Sequence, residues 1–175
     1  MNSYIEINPG VCIGCGTCQS ACSNGHSGAG DQSEPRLTVV YGTDVTASIT
    51  CHHCEDAPCM AVCPVNSISH LGDRIKVNEQ TCIGCKLCAC VCPYGAIHPS
   101  GTSIAGVAGV AHFTPNMPSN TSNLLKWEIG EKICAVKCDL CAYDDLGPRC
   151  VKACPTQALT LTHRSEEQAV SGQEG

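Results

Sequence analysis

The chain has 175 residues, a formal charge of −6 and only 3% aromatic residues, yet 18 of its residues are cysteine. That length holds one medium domain or two small ones, and with so few aromatic side chains a conventional apolar core would be thin. The acidic balance argues against nucleic acid and anionic headgroups as partners and for a partner with basic patches, and no apolar run approaches the ~20 residues that span a bilayer.

In chain order, Tyr4-Ile-Glu-Ile7 alternates and predicts a short strand. Pro9-Gly10 then turns the chain into a first cysteine group, Cys12, Cys15, Cys18 and Cys22. Gly14 and Gly16 let that loop fold tightly and aim backbone N–H groups at sulfur, and Ile13 can cover the site from water. Cys22 is followed by Ser23 rather than proline, so a short helix is expected to continue there. Residues 27–30 read as a loop, residues 36–41 as a β-branched strand and residues 46–50 as a further extended segment. The second group is Cys51, Cys54, Cys59 and Cys63, followed by Pro64. Ile68-Ser-His and Arg74-Ile-Lys-Val77 around Gly72-Asp73 give a hairpin signal. The third group, Cys82, Cys85, Cys88 and Cys92, ends in Pro93. Residues 99–123 are rich in Gly, Ser, Ala, Pro and Asn, and read as a surface loop or as an arm ordered by a partner or another copy. Structure resumes at residues 124–129, with Trp127 as packing or an interface anchor. The fourth group is Cys138, Cys141, Cys150 and Cys154 with Pro155; a strand at residues 158–161 and a frayed polar tail, 164–175, follow.

The third group is a complete C-x2-C-x2-C-x3-C-P run, in which three thiolates hold one 4Fe-4S cube and the fourth reaches a second. Seventy residues upstream the same spacing returns at Cys12–Cys22, an internal repeat. Groups two and four keep the opening C-x2-C and the closing C-x3-C-P. A disulfide scaffold has no reason to repeat that spacing, and structural zinc seldom uses it. Only the 18 residues between groups two and three suit a ferredoxin spacer, while 45 separate groups three and four. Two is therefore paired with three, and one with four. The ligand sets are Cys12, Cys15, Cys18 with Cys154; Cys138, Cys141, Cys150 with Cys22; Cys51, Cys54, Cys59 with Cys92; and Cys82, Cys85, Cys88 with Cys63.

Cys90 and Cys134 are left over and are expected to be buried small hydrophobes. His52 and His53 read as ordinary polar residues of a cluster loop. Lys86 is either a solvated lysine or a charge that raises the potential of its cube. His26, His70, His98, His112 and His163 show no ligand spacing, and no nucleophile, phosphate-loop or carboxylate-pair pattern points to an enzyme. With four clusters, each adding about −2, the loaded chain would carry about −14. Clusters held from two distant places also staple a small fold, so the apoprotein is expected to be largely unfolded.

The stretches Cys51-His-His-Cys-Glu-Asp-Ala-Pro-Cys59, Cys82-Ile-Gly-Cys-Lys-Leu-Cys88, Lys137-Cys-Asp-Leu-Cys141 and Gly147-Pro-Arg-Cys150-Val-Lys-Ala-Cys-Pro-Thr156 resemble the four-cluster ferredoxin-like electron-transfer subunits. These include the iron–sulfur subunits of formate dehydrogenases, formate hydrogenlyase and dimethyl sulfoxide reductase-type enzymes, and polyferredoxins associated with hydrogenase or aldehyde oxidoreductase. The resemblance covers residues 4–163 and departs at Ser23, which replaces proline, and in the short middle of group four. It implies the same pairing of groups. It also implies an α+β fold of two bacterial-ferredoxin-like (βαβ)2 modules around four 4Fe-4S clusters, with the inner module (44–99) inserted in the outer (1–43 with 100–163). The implied function is non-catalytic: relaying electrons between a molybdenum or tungsten pterin enzyme or a hydrogenase and a second redox partner, with self-association into chains open. A maturation factor for such an enzyme and a free polyferredoxin are the alternatives. Met1-Asn-Ser-Tyr-Ile-Glu-Ile-Asn8 shows no export signal and no membrane helix is visible, so the cytoplasm is expected, with export alongside a signal-bearing partner left open.

Overall fold

The computed structural model describes residues 2–100 and 133–164. The chain runs β1 (Ser3–Ile7), a 3-10 turn (Pro9–Val11), α1 (Thr17–Ala29), β2 (Thr38–Tyr41), β3 (Thr46–Ile49), α2 (Pro58–Ala61), β4 (Ile68–Leu71), β5 (Arg74–Val77), α3 (Leu87–Val91), β6 (Ile97–Ser100), β7 (Cys134–Lys137), α4 (Arg149–Ala153) and β8 (Leu159–His163). The strands form four antiparallel pairs: β1 with β8, β2 with β3, β4 with β5, and β6 with β7. This is a duplicated ferredoxin-like fold. The first pair clasps the two ends of the described chain, in register from Ser3 opposite His163 to Ile7 opposite Leu159, and buries Ile5 and Leu159.

Helix length follows from what comes after the last cysteine of each group. Pro64, Pro93 and Pro155 disfavour helical backbone in the residue before them. Accordingly α3 and α4 stop at Val91 and Ala153, with Cys92 and Cys154 already extended. Group one has Ser23 in place of proline, and α1 runs on for 13 residues until Gly30 caps it in the left-handed conformation. Residues 27–30 are thus not the loop expected from composition. Ser27–Ala29 form the last turn of α1, because nothing breaks the helix before Gly30 and His26 is fully buried beneath it.

The strand expected at 36–41 begins at Thr38, and the hairpin at 68–77 is present. The pair β6–β7 has no clear sequence signal. Pro99 lies inside β6, tolerated because a two-stranded sheet leaves the missing N–H on an edge. The loop or arm predicted at 99–123 lies, beyond Ser100, outside the described residues, as do residues 124–129 with Trp127 and the tail from residue 165. No helix among the described residues is long and apolar enough to cross a membrane.

Two apolar centres result. One gathers Ile68, Ile75, Val77, Ile97 and Val136 with Cys59, Cys82 and Cys88. The other gathers Ile5, Leu37, Leu140 and Leu159 with Cys22, Cys51, Cys138 and Cys150. Residues 31–36 are fastened to the end of β5 by a buried ion pair, Arg36 Nη2 to Glu79 Oε1 at 2.5 Å, with Glu79 also accepting from the Gln32 backbone N–H.

α1 packs on α4 with Gly25 at the contact. A Cβ there would collide with the Tyr143 hydroxyl and come within 2.9 Å of Arg149 Cδ. In an open helix Gly→Ala stabilises by about 1 kcal/mol; at this contact overpacking reverses the sign. Gly25→Ala is expected to destabilise the iron-loaded protein by about 1–3 kcal/mol, read as a lowered melting temperature under anaerobic conditions.

Candidate metal centres

Each cysteine group is built on the same backbone turns. The second residue inside every opening C-x-x-C loop has positive φ: Gly14 at 69°, His53 at 45°, Gly84 at 67° and Leu140 at 56°. In groups two and four this turns the residue's own N–H onto the first cysteine, His53 N to Cys51 Sγ at 3.3 Å and Leu140 N to Cys138 Sγ at 3.5 Å. A second positive φ falls three residues after the last cysteine at Asn66, Gly95 and Gln157. There the next N–H points back at the sulfur: Ser67 to Cys63 at 3.3 Å, Ala96 to Cys92 at 3.4 Å and Ala158 to Cys154 at 3.2 Å. The helix that continues past Cys22 removes this turn, and the N–H of Arg36 serves Cys22 instead at 3.3 Å. Cys82 and Cys141 receive the N–H groups of Ala135 and Arg149.

Cys12, Cys15, Cys18 and Cys154 line one cavity beneath Ile13, which is itself 67% exposed. Tyr41 at the end of β2 covers this loop, its hydroxyl donating to the Gly14 carbonyl at 2.8 Å. A Cβ on Gly14 would meet the Tyr41 ring at 2.7 Å, so glycine is needed there for space as well as for φ. Cys51, Cys54, Cys59 and Cys92 line a second cavity with His52, Ile75, Tyr94 and Ile97. Cys22, Cys138, Cys141 and Cys150 are all buried, and the Cys150 thiol lies within electrostatic reach of the other three. Cys88 lies within reach of Cys82 and Cys85, while Cys63 packs against the inner apolar centre to which Cys82 and Cys88 belong. Between ligand sets, Cys138 lies within electrostatic reach of Cys51, and Cys88 within reach of Cys59.

Burial pushes the Cys138 thiol up to about 12 and the Cys88 thiol up to about 11, and it also raises Cys150. Unbound, these sulfurs are neutral thiols. Eight backbone N–H groups nevertheless point at cysteine sulfur among the described residues, an arrangement suited to a thiolate. An all-sulfur donor set with oriented N–H groups fits iron–sulfur clusters, whose metal supplies the charge that makes each sulfur a thiolate.

The neighbours of the thiols correct several sequence expectations. Cys134 is fully buried as expected, but Cys90 is exposed. Cys88 and Cys92, four apart, share the inward face of the chain, and Cys90 falls on the opposite side. His53 is no ordinary loop residue. It is completely buried, accepts the Ile75 N–H on Nδ1 at 2.9 Å and is pushed down to about 3 by burial and by Lys137. His52 stacks between Tyr94, at 3.9 Å, and Tyr4, at 5.8 Å. Lys86 is exposed with φ 67° at the start of α3.

Sequence reasoning missed His26 altogether. Its ring is buried, 2.9 Å from the Cys22 carbonyl and 2.9 Å from the Asp139 carboxylate, which sits inside the fourth C-x-x-C loop. Burial alone would lower it, but Asp139 and then Cys22 outweigh burial and raise it to about 9; His26 in turn draws Asp139, against burial, down to about 2. No signal in the sequence links two residues so far apart.

The 4Fe-4S binding domain family matches residues 5–25 and 75–98. The chain is 47% identical over 170 residues to hydrogenase-4 component A of Escherichia coli K12, covering 92% of this chain and 82% of that protein. It is 44% identical over 177 residues to formate hydrogenlyase subunit 2 of the same strain, covering 98% and 87%. Against that strain's electron transport protein HydN it is 34% identical over 180 residues, covering 99% and 95%.

Among the described residues nine of the 23 buried apolar residues are cysteines, all but Cys134 candidate ligands, so cluster loss would remove support from both centres at once. Chelation with oxidation is expected to abolish the native far-UV circular dichroism. By contrast, Cys90→Ser and Cys134→Ser should each retain the full iron content of the unaltered protein.

Proposed function

Because the chain belongs to the family of ferredoxin-like iron–sulfur electron-transfer subunits that includes these relatives, we propose that it relays electrons through four 4Fe-4S clusters held by the four ligand sets named above. Each cluster, when bound, supplies a one-electron site. Everything else is the work of the chain. It holds the sulfurs, aims N–H groups at them and keeps water from the inner sites.

The observation that carries this reading is the gradient of exposure along the thiol groups. Helix α1 carries Cys18 for one set and Cys22 for the next. Cys138 then lies within electrostatic reach of Cys51, and Cys88 within reach of Cys59. The sets therefore fall in a series that begins with Cys12, Cys15, Cys18 and Cys154 and ends with Cys82, Cys85, Cys88 and Cys63. Both terminal sets include an exposed cysteine, Cys15 and Cys85, whereas the set of Cys22, Cys138, Cys141 and Cys150 is wholly buried. Such a series has two terminals and a shielded middle, which suits conduction between two partners.

The outer module comprises residues 1–43 with 100–163, supported by the pairing of β1 with β8 and of α1 with α4, and the inner module comprises residues 44–99, supported by α2 on α3. The hairpin β2–β3 turns at their boundary. The partners are a hydrogenase or a molybdenum or tungsten pterin enzyme acting on formate or an aldehyde, and a second redox protein. The names of the hydrogenase-4 and formate hydrogenlyase relatives support this. A reducing compartment, the cytoplasm, keeps so many thiols available for iron.

Two experiments test the reading. In anaerobic purification of the native complex, molybdenum, tungsten or nickel is expected to comigrate stoichiometrically with about sixteen irons per chain; elution alone would leave a free carrier or an assembly factor. The ligand sets predict that Cys63→Ala and Cys85→Ala abolish the same cluster signal in electron paramagnetic resonance, although these cysteines belong to different sequence groups. Loss of two different signals would refute the pairing.

A further inference from the structure

Lys137 ends β7 immediately before the fourth cysteine group, and it is only 2% exposed. Its ammonium donates to the Ile75 carbonyl at 2.6 Å and to the Cys138 carbonyl at 2.9 Å. The other buried cationic groups, Arg36 and His26, each meet a carboxylate, Glu79 and Asp139. Lys137 forms no ion pair among the described residues. A buried charge without a counter-charge is strongly unfavourable, and an ammonium with two acceptors still has one N–H to give.

The same residue, Ile75, also donates its N–H to His53, so the His53 proton sits on Nε2, which has no acceptor among the described residues. Two buried donors with unused capacity are thus tied to one point of β5. That point is the seam between two ligand sets, since Lys137 lies within electrostatic reach of both Cys59 and Cys138, and Cys138 within reach of Cys51. What these donors lack is negative charge, and two thiolate-bound clusters would bring it from both sides.

We propose that Lys137 is a fixed internal cation shared by the two middle clusters, those held by Cys138, Cys141, Cys150 and Cys22 and by Cys51, Cys54, Cys59 and Cys92. An added electron makes a cluster more negative, so a cation held beside it favours the reduced state and raises the potential. Because it faces both sets, it also offsets the repulsion between them. Lys137 acts through the clusters, as a positioning charge. The inference rests on the ligand sets proposed above.

The test uses the full-length, cluster-loaded protein with Lys137→Met, Lys137→Gln and Lys137→Arg, each checked for iron content and titrated potentiometrically with electron paramagnetic resonance detection. If the unaltered protein does not carry about sixteen irons, the ligand sets themselves fail. If it does, Lys137→Met and Lys137→Gln are expected to lower two of the four potentials, each by at least tenfold in the reduced-to-oxidised ratio, about 59 mV for a one-electron couple. The other two should not move, and Lys137→Arg should restore both. Four unchanged potentials, or equal shifts in the arginine and methionine variants, overturn the proposal. Should the neutral variants fail to hold four clusters, retention by Lys137→Arg supports a need for charge, and loss there too overturns it.

Discussion

A sulfur as deeply buried as that of Cys138 cannot carry negative charge unaided, because burial lifts its thiol to about 12. Iron bound there would make it a thiolate, and both apolar centres gather sulfurs of this kind. The chain contributes the other half of the interaction, backbone N–H groups turned onto sulfur by residues in the left-handed region. At Gly14 and Gly84 that conformation is free of cost. At His53 and Leu140 it costs about 1–2 kcal/mol each, yet these side chains are among the most deeply buried in the protein. Their packing between the sets offsets the strain.

The proline after the last cysteine organises the rest. It ends the helix, extends the cysteine and permits the turn whose N–H returns to the sulfur. Without it, group one keeps a long α1, and that helix delivers His26 to Asp139 and Gly25 to the face of α4. The departure from the repeat thus joins the first and last cysteine groups, where the chain has no short loop to do so.

Buried charge is distributed with the same economy. Arg36 and Glu79 pin the segment after α1 to the inner hairpin, and His26 and Asp139 pin α1 to the fourth group. Lys137 alone among these buried cations has carbonyl acceptors and, among the described residues, no carboxylate beside them. It stands between the two apolar centres, its ammonium bonded to Ile75 of one and to Cys138 of the other.

The sequence by itself determined the cofactor chemistry, the sixteen candidate thiols and the doubled ferredoxin pattern. Thiol spacing is a local property, and C-x2-C with C-x3-C-P suits one kind of cluster. The hairpin at 68–77 was equally legible, because Gly72-Asp73 and β-branched flanks act over a few residues. Only the tertiary structure decided which side of α3 Cys90 would take, how far α1 would run, that β6 and β7 would pair despite Pro99, and that His26, His53 and Lys137 would be buried beside the thiols. Those outcomes depend on contacts between residues far apart in the chain, Asp139 with His26 and Ile75 with both His53 and Lys137. A lysine followed by a cysteine looks like any surface lysine until the strand that covers it is in place.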